Sequence, residues 1–162
     1  MGELADRLDN IRVRVSAPGA DIAAELRNRG EFELYFGESV YEFIDERFLE
    51  HSLASMARLL YAGWQREYMA AISDTNLNVL PEDQHDFNFR DEVRAIEASG
   101  QSNDGRITIA AVGMDDFTVQ IKSGTVRELG EAEFATGASE AASLLLQRYE
   151  EQATQLQMQY YW

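Results

Sequence analysis

Cysteine is absent from these 162 residues, lysine occurs once, at Lys122, and proline and histidine occur twice each. Without cysteine there is no disulfide framework, no thiolate nucleophile and no cysteine zinc site, as expected of a cytoplasmic chain. No apolar run approaches the roughly 20 residues that a bilayer-spanning helix requires. The opening Met1-Gly2-Glu3-Leu4-Ala5-Asp6-Arg7 lacks the basic stretch and apolar stretch of a cleaved secretion signal, so neither export nor a membrane partner is expected.

Basic side chains are also scarce: 14 lysines and arginines face 29 aspartates and glutamates, for a net charge of −15. Binding to nucleic acid draws most of its sequence-independent affinity from cations that displace counterions at phosphates. A surface this acidic repels phosphate unless its few arginines are gathered in one place. The densest group is Arg12, Arg14, Arg27 and Arg29. Arg12 and Arg14 share one face if the segment is a strand. These four are the candidate DNA-binding residues, and pairing with Asp21, Glu25 and Glu31 is the competing expectation.

Chemistry finds little support. His51 and His85 are far apart and neither has a nucleophile beside it. Glu50-His51-Ser52 reads as the capping region of a helix. Glu82-Asp83-Gln84-His85-Asp86 offers metal-type donors at a spacing that fits no metal-binding loop, so a solvated linker is expected there. Gly100 to Gly105 precedes a strand and carries no Gly-Lys-Ser or Gly-Lys-Thr phosphate cradle. The expectation is a protein without enzymatic activity, metal or cofactor.

What is present is a pattern that runs through the chain twice. Asp9-Asn10-Ile11-Arg12-Val13-Arg14-Val15-Ser16 parallels Asp91-Glu92-Val93-Arg94-Ala95-Ile96-Glu97-Ala98 as the start of a strand. Each is followed by a polar turn ending in glycine, Ser16-Ala17-Pro18-Gly19 or Ser102-Asn103-Asp104-Gly105, and by an apolar run from Ile22 or Ile107. The loops Asn28-Arg29-Gly30-Glu31 and Gly113-Met114-Asp115-Asp116 then lead into the alternating runs Phe32-Leu34-Phe36 and Phe117-Val119-Ile121. Val40-Tyr41-Glu42-Phe43 parallels Val126-Arg127-Glu128-Leu129, with Tyr41 to Asp45 read as strand. Phe48 and Phe134 stand just ahead of the closing helices.

Those helices are expected over about 51–73, with Leu53, Met56, Leu60, Trp64 and Tyr68 on one stripe, and about 136–160, with Leu145, Tyr149, Ala153, Leu156 and Tyr160. Pro81 and the polar residues around it divide the chain into units 1–80 and 81–162. Neither unit can cover its aromatic residues alone, so Phe32, Phe36, Phe43 and Phe48 are expected to meet the other half. The fold class is α+β, with a short three-stranded antiparallel sheet and a long helix in each unit.

The second unit, from Val93-Arg94-Ala95-Ile96-Glu97-Ala98 through Asp104-Gly105-Arg106-Ile107-Thr108-Ile109 and Phe117-Thr118-Val119-Gln120-Ile121 to the last helix, resembles the YbaB/EbfC family. The resemblance implies a helix, three antiparallel strands and a helix, with strands paired across a dimer. Two such units in one chain would form an intramolecular pseudo-dimer. It also implies a nucleoid association, but family members that bind DNA carry basic surface, whereas residues 81–162 hold an excess of carboxylates. The acidic variant of the pattern looks like proteins found with the type VII (ESX) secretion systems of actinobacteria.

The C-terminal Gln157-Met158-Gln159-Tyr160-Tyr161-Trp162 ends a helix on three aromatics where polar residues are the norm. Tyr160, Tyr161 and Trp162, with Tyr61, Trp64 and Tyr68, are the candidate protein-binding residues, because tyrosine and tryptophan are preferred interface anchors. Covering by the chain's own core is the competing expectation. The partner would be another protein, a secretion substrate or a component of a secretion system, or a second copy in a homo-oligomer.

Overall fold

The computed structural model describes residues 2–28, 30–75 and 80–162. Helix α1 (Gly2–Asp9) leads into strands β1 (Arg12–Ser16), β2 (Ile22–Arg27) and β3 (Glu31–Phe36), a single 3-10 turn over Tyr41–Phe43, and helix α2 (Glu46–Ile72). Then α3 (Gln84–Arg94) leads into β4 (Glu97–Gln101), β5 (Ile107–Val112) and β6 (Asp116–Ile121), a one-turn helix α4 (Thr125–Glu128), and α5 (Glu131–Tyr161). The class is α+β: two three-stranded antiparallel sheets, ordered β1-β2-β3 and β4-β5-β6, with helices packed on them. Among the described residues, strands of different sheets do not pair, unlike the cross-unit pairing that the family resemblance implies.

The spacing between the two sets of elements is constant. Between the first residues of β1 and β4, β2 and β5, β3 and β6, and α2 and α5, 97 minus 12, 107 minus 22, 116 minus 31 and 131 minus 46 all give 85. The strand registers agree: Ile22 faces Phe36 and Ile107 faces Ile121 at one end, while Arg27 faces Glu31 and Val112 faces Asp116 at the other. On the helices, the buried positions Leu49, Leu53, Met56 and Leu60 of α2 fall at the same spacing as Phe134, Ala138, Ala141 and Leu145 of α5. Both sets lie at steps of four, three and four residues, the stripe of a helix with one covered face.

The two halves form a single core. Helix α2 lies on β1 of its own half and β6 of the other, and α5 lies on β4 of its own half and β3 of the other. Phe134 is fully buried and its ring centroid lies 6.2 Å from that of Phe36 and 5.7 Å from that of Tyr41. Polar contacts cross the same seam. Glu50 accepts from the Ile121 N–H at 2.8 Å, and the Tyr41 hydroxyl donates to the Leu129 carbonyl at 3.0 Å. The Ser139 hydroxyl donates to the Phe32 carbonyl at 2.6 Å. Each satisfies a backbone group that the meeting of sheet and helix would otherwise bury unpaired.

Several local expectations are corrected. Tyr41 to Asp45 is not strand: Tyr41–Phe43 makes one 3-10 turn, and Asp45 is the N-cap of α2, accepting from the Phe48 N–H at 2.9 Å. That cap starts α2 at Glu46, so His51 sits in its second turn rather than in a capping region, and Phe48 lies inside the helix. Phe134 likewise lies inside α5, which starts at Glu131. The segment Asp91 to Arg94 is the end of α3, and the strand begins only at Glu97. The expected linker 82–86 is the start of that helix, with Asp83 accepting from the Asp86 N–H at 2.9 Å. Among the four phenylalanines expected to be covered, Phe32 is buried and Phe36 packs on the core, whereas Phe43 and Phe48 remain exposed.

Candidate protein-binding site

The six candidate aromatics fall into two groups. Along α2, Tyr61 and Trp64 stack at 6.1 Å, Trp64 and Tyr68 stack at 5.2 Å, and Tyr61 meets Tyr149 of α5 edge-on at 6.2 Å. Tyr61 and Trp64 pack against the core, and burial, with Tyr149 beside it, pushes the Tyr61 phenol up. The indole N–H of Trp64 is buried and has no acceptor among the described residues. Tyr61, Trp64 and Tyr68 are all half-buried, so the ladder packs on the core along one side and keeps part of each ring exposed.

The C-terminal group is different. Tyr160 and Tyr161 dock on α3, where Phe89 lies 5.4 Å from the Tyr160 ring and 5.2 Å from the Tyr161 ring. His85 packs on both at 4.9 and 5.1 Å, and its Nε2 lies 2.7 Å from the Tyr160 carbonyl oxygen. The Tyr161 hydroxyl donates to Asp86. His85 therefore sits on a helix against α5 rather than in a linker, and it remains exposed as expected. Sequence reasoning missed His85 and Phe89, although the Asp83-Gln84-His85-Asp86 spacing of a helix start was there to find them.

Beside this docking lies an open cleft of about 610 Å³, walled by Met69 of α2, Leu80 and Pro81, Phe89 and Val93 of α3, and Tyr161 of α5. Met69, Leu80 and Tyr161 are large apolar residues left exposed, and Trp162 is 85% exposed at the end of the helix. Asp86, Arg90 and Gln157 complete its lining, so exposed apolar residues are gathered here beside polar ones rather than scattered singly. Among the described residues no group of three or more histidine, aspartate or glutamate side chains is close enough to hold a metal ion. No family model, curated protein or solved structure matches the chain.

The Tyr161–Asp86 hydrogen bond gives the docking a pH signature. It is the largest cause holding the Asp86 carboxyl below its ordinary 3.8, followed by the Glu82 backbone N–H. It also leads in pushing the Tyr161 phenol from 10.0 up to about 12. A depressed carboxyl stabilises the docked end above pH 3.8, and that contribution is lost as pH falls through the lower folded value. A raised phenol stabilises it below pH 10, and that contribution is lost between 10 and about 12. In Tyr161→Phe both limbs should flatten, read as amide-exchange protection of the last α5 turn across pH. A profile identical to wild type would refute the contact.

The arginine group is largely engaged. Arg27 pairs with Glu25 at 3.0 Å, Glu31 at 3.5 Å, and Glu33. Arg12 stands 3.9 Å from the same Glu25, and Arg14 lies over the Tyr35 ring at 4.7 Å. Glu25 is buried within β2, so its two arginines serve to compensate a desolvated carboxylate. Arg29, the fourth candidate, lies outside the described residues, and Asp21 forms none of these pairs.

Proposed function

We propose that the chain is a protein-binding module with no chemistry of its own, built from two diverged copies of one unit closed into an intramolecular pseudo-dimer of the YbaB/EbfC type. The constant spacing of elements and buried positions supports the duplication. The observation that carries the binding reading is the uncovered apolar end: Trp162 and the cleft shared by Met69, Leu80, Phe89 and Tyr161. The charge of −15 suits a cytoplasmic adaptor or chaperone that keeps an aggregation-prone partner soluble, and the acidic pattern points to an association with type VII secretion.

Affinity capture from the native host tests this. Wild type should retain a partner that Trp162→Ala loses, with thermal stability unchanged, because a substitution at an exposed terminal residue costs less than about 0.5 kcal/mol. If both proteins elute alone, the reading fails. The DNA-binding alternative inherits its weakness from the engaged arginines: no band shift is expected even at low salt, where a phosphate-driven interaction would be strongest.

A further inference from the structure

A second cleft, of about 600 Å³, lies where the β1–β2 turn, the segment after β3 and the start of α2 meet. Ala20, Val40, Phe43, Ile44 and Phe48 supply its apolar surface, and Phe43 is 83% exposed. Asp21, Glu38 and Asp45 stand along it, and Glu42 adjoins Phe43. No lysine or arginine lines it among the described residues.

The fold does not demand this surface. At the positions 85 residues later, Arg106 stands for Asp21, Thr125 for Val40, Glu128 for Phe43 and Glu133 for Phe48. There Arg106 pairs with Glu128, and with Asp104 at 3.7 Å, while Thr125 is fully buried with its hydroxyl donating to the Lys122 carbonyl at 2.6 Å. One architecture thus carries a closed polar surface in one half and an open apolar one in the other. Two exposed phenylalanines beside the half-buried Val40 and Ile44 leave apolar surface in water, which is costly unless something covers it.

We infer that the Phe43 cleft docks a segment of another protein that carries an apolar anchor flanked by lysine or arginine. The anchor replaces water over Phe43 and Phe48, and the cations meet Asp21, Glu38, Glu42 and Asp45. A second copy of this chain is disfavoured as the occupant, since it would bring the same carboxylates face to face on molecules of charge −15. The inference rests on the reading of the chain as a protein-binding module, and it uses none of the residues of the Tyr161 cleft.

A random peptide library displayed on phage, selected on the full-length protein, provides the probe. Enriched peptides should carry an aromatic or aliphatic anchor among lysines and arginines and should bind more weakly as salt rises. Their dissociation constants should increase at least about tenfold in Phe43→Ser, equivalent to about 1.4 kcal/mol, and stay unchanged in Trp162→Ala. Circular dichroism should give wild-type melting for Phe43→Ser, because the ring is already in water. Absence of enrichment, enrichment of acidic or uncharged peptides, or indifference to Phe43→Ser would each overturn the inference. So would a concentration-dependent dimer that Phe43→Ser abolishes, which would make a second copy the occupant. Peptides lost in Trp162→Ala and kept in Phe43→Ser would defeat this site while leaving the C-terminal one standing.

Discussion

Replacing Gly100 by alanine is expected to destabilise the protein by about 3 kcal/mol or more, the upper end of what overpacking a dense interior costs. For a chain of this length that is a fall of about 6–12 °C in melting temperature. Gly100 lies within β4, next to its last residue, paired with Ile109, and it faces the helix rather than solvent. A Cβ there would collide with the Ala141 carbonyl oxygen and the Leu145 amide nitrogen. Both are backbone atoms of α5, so no rotamer change relieves the clash and the whole helix must move. The same approach lets Arg148 reach the Ser99 carbonyl at 3.0 Å and Gln152 the Glu97 carbonyl at 2.9 Å. Those bonds occupy outward-facing carbonyls of an edge strand, where unpaired groups invite another strand.

Gly63 supplies the contrast. It sits in α2 against β1, and a Cβ would lie 2.7 Å from Val13 Cγ1, so one half-buried side chain rather than helix backbone has to shift. Alanine also gains up to about 1 kcal/mol in helix propensity over glycine. Gly63→Ala should therefore stay within about 1 kcal/mol of wild type in the same denaturation assay. Equal losses in the two variants would show that the close β4–α5 crossing is not what makes Gly100 necessary.

The strands were legible because alternation and turn chemistry are local. Ile22 and Ile107 open the central strands as their glycine-ended turns predict, and both hairpin loops fall where their polar residues put them. The helix starts were harder: those of α2 and α3 are set by single capping side chains, Asp45 and Asp83, that lie upstream of any apolar stripe, and α5 starts after Gly130 with no capping side chain to mark it. Tyr41 to Asp45 alternates like a strand, yet the Phe43 N–H bonds the Val40 carbonyl at 3.1 Å and closes a turn.

The constant spacing was obscured by matching residue identities. Aligning Phe48 with Phe134 shifts the register by one, when the buried partner of Phe134 is Leu49. What repeats is burial rather than identity or size: Met56 stands for Ala141 and Leu53 for Ala138, while Ile22 and Ile107 happen to match. At the candidate site, the run Tyr160-Tyr161-Trp162 is plain in the sequence, whereas the docking of Tyr160 and Tyr161 depends on α3, which no long apolar stripe announces. The Phe43 cleft was hidden for the opposite reason. Its phenylalanines read as core, and only the packing of the two halves shows Phe43 left outside it by the described residues.

Phe134→Ala should cost about 3–5 kcal/mol, the range for emptying a buried aromatic site. The ring belongs to α5, but its aromatic neighbours Phe36 and Tyr41 belong to the first half, so the cavity opens at the seam. Its neighbours can close in only if α5 shifts relative to β3, which the Ser139 bond to the Phe32 carbonyl resists. The loss should therefore appear as one cooperative transition at lower denaturant, with amide protection falling in β3 and β5 together. If instead the second half melts early while β1 to β3 keep their protection, the halves are separate folding units. The crossed packing of α2 on β6 and of α5 on β3 would then be a contact between two bodies rather than one core.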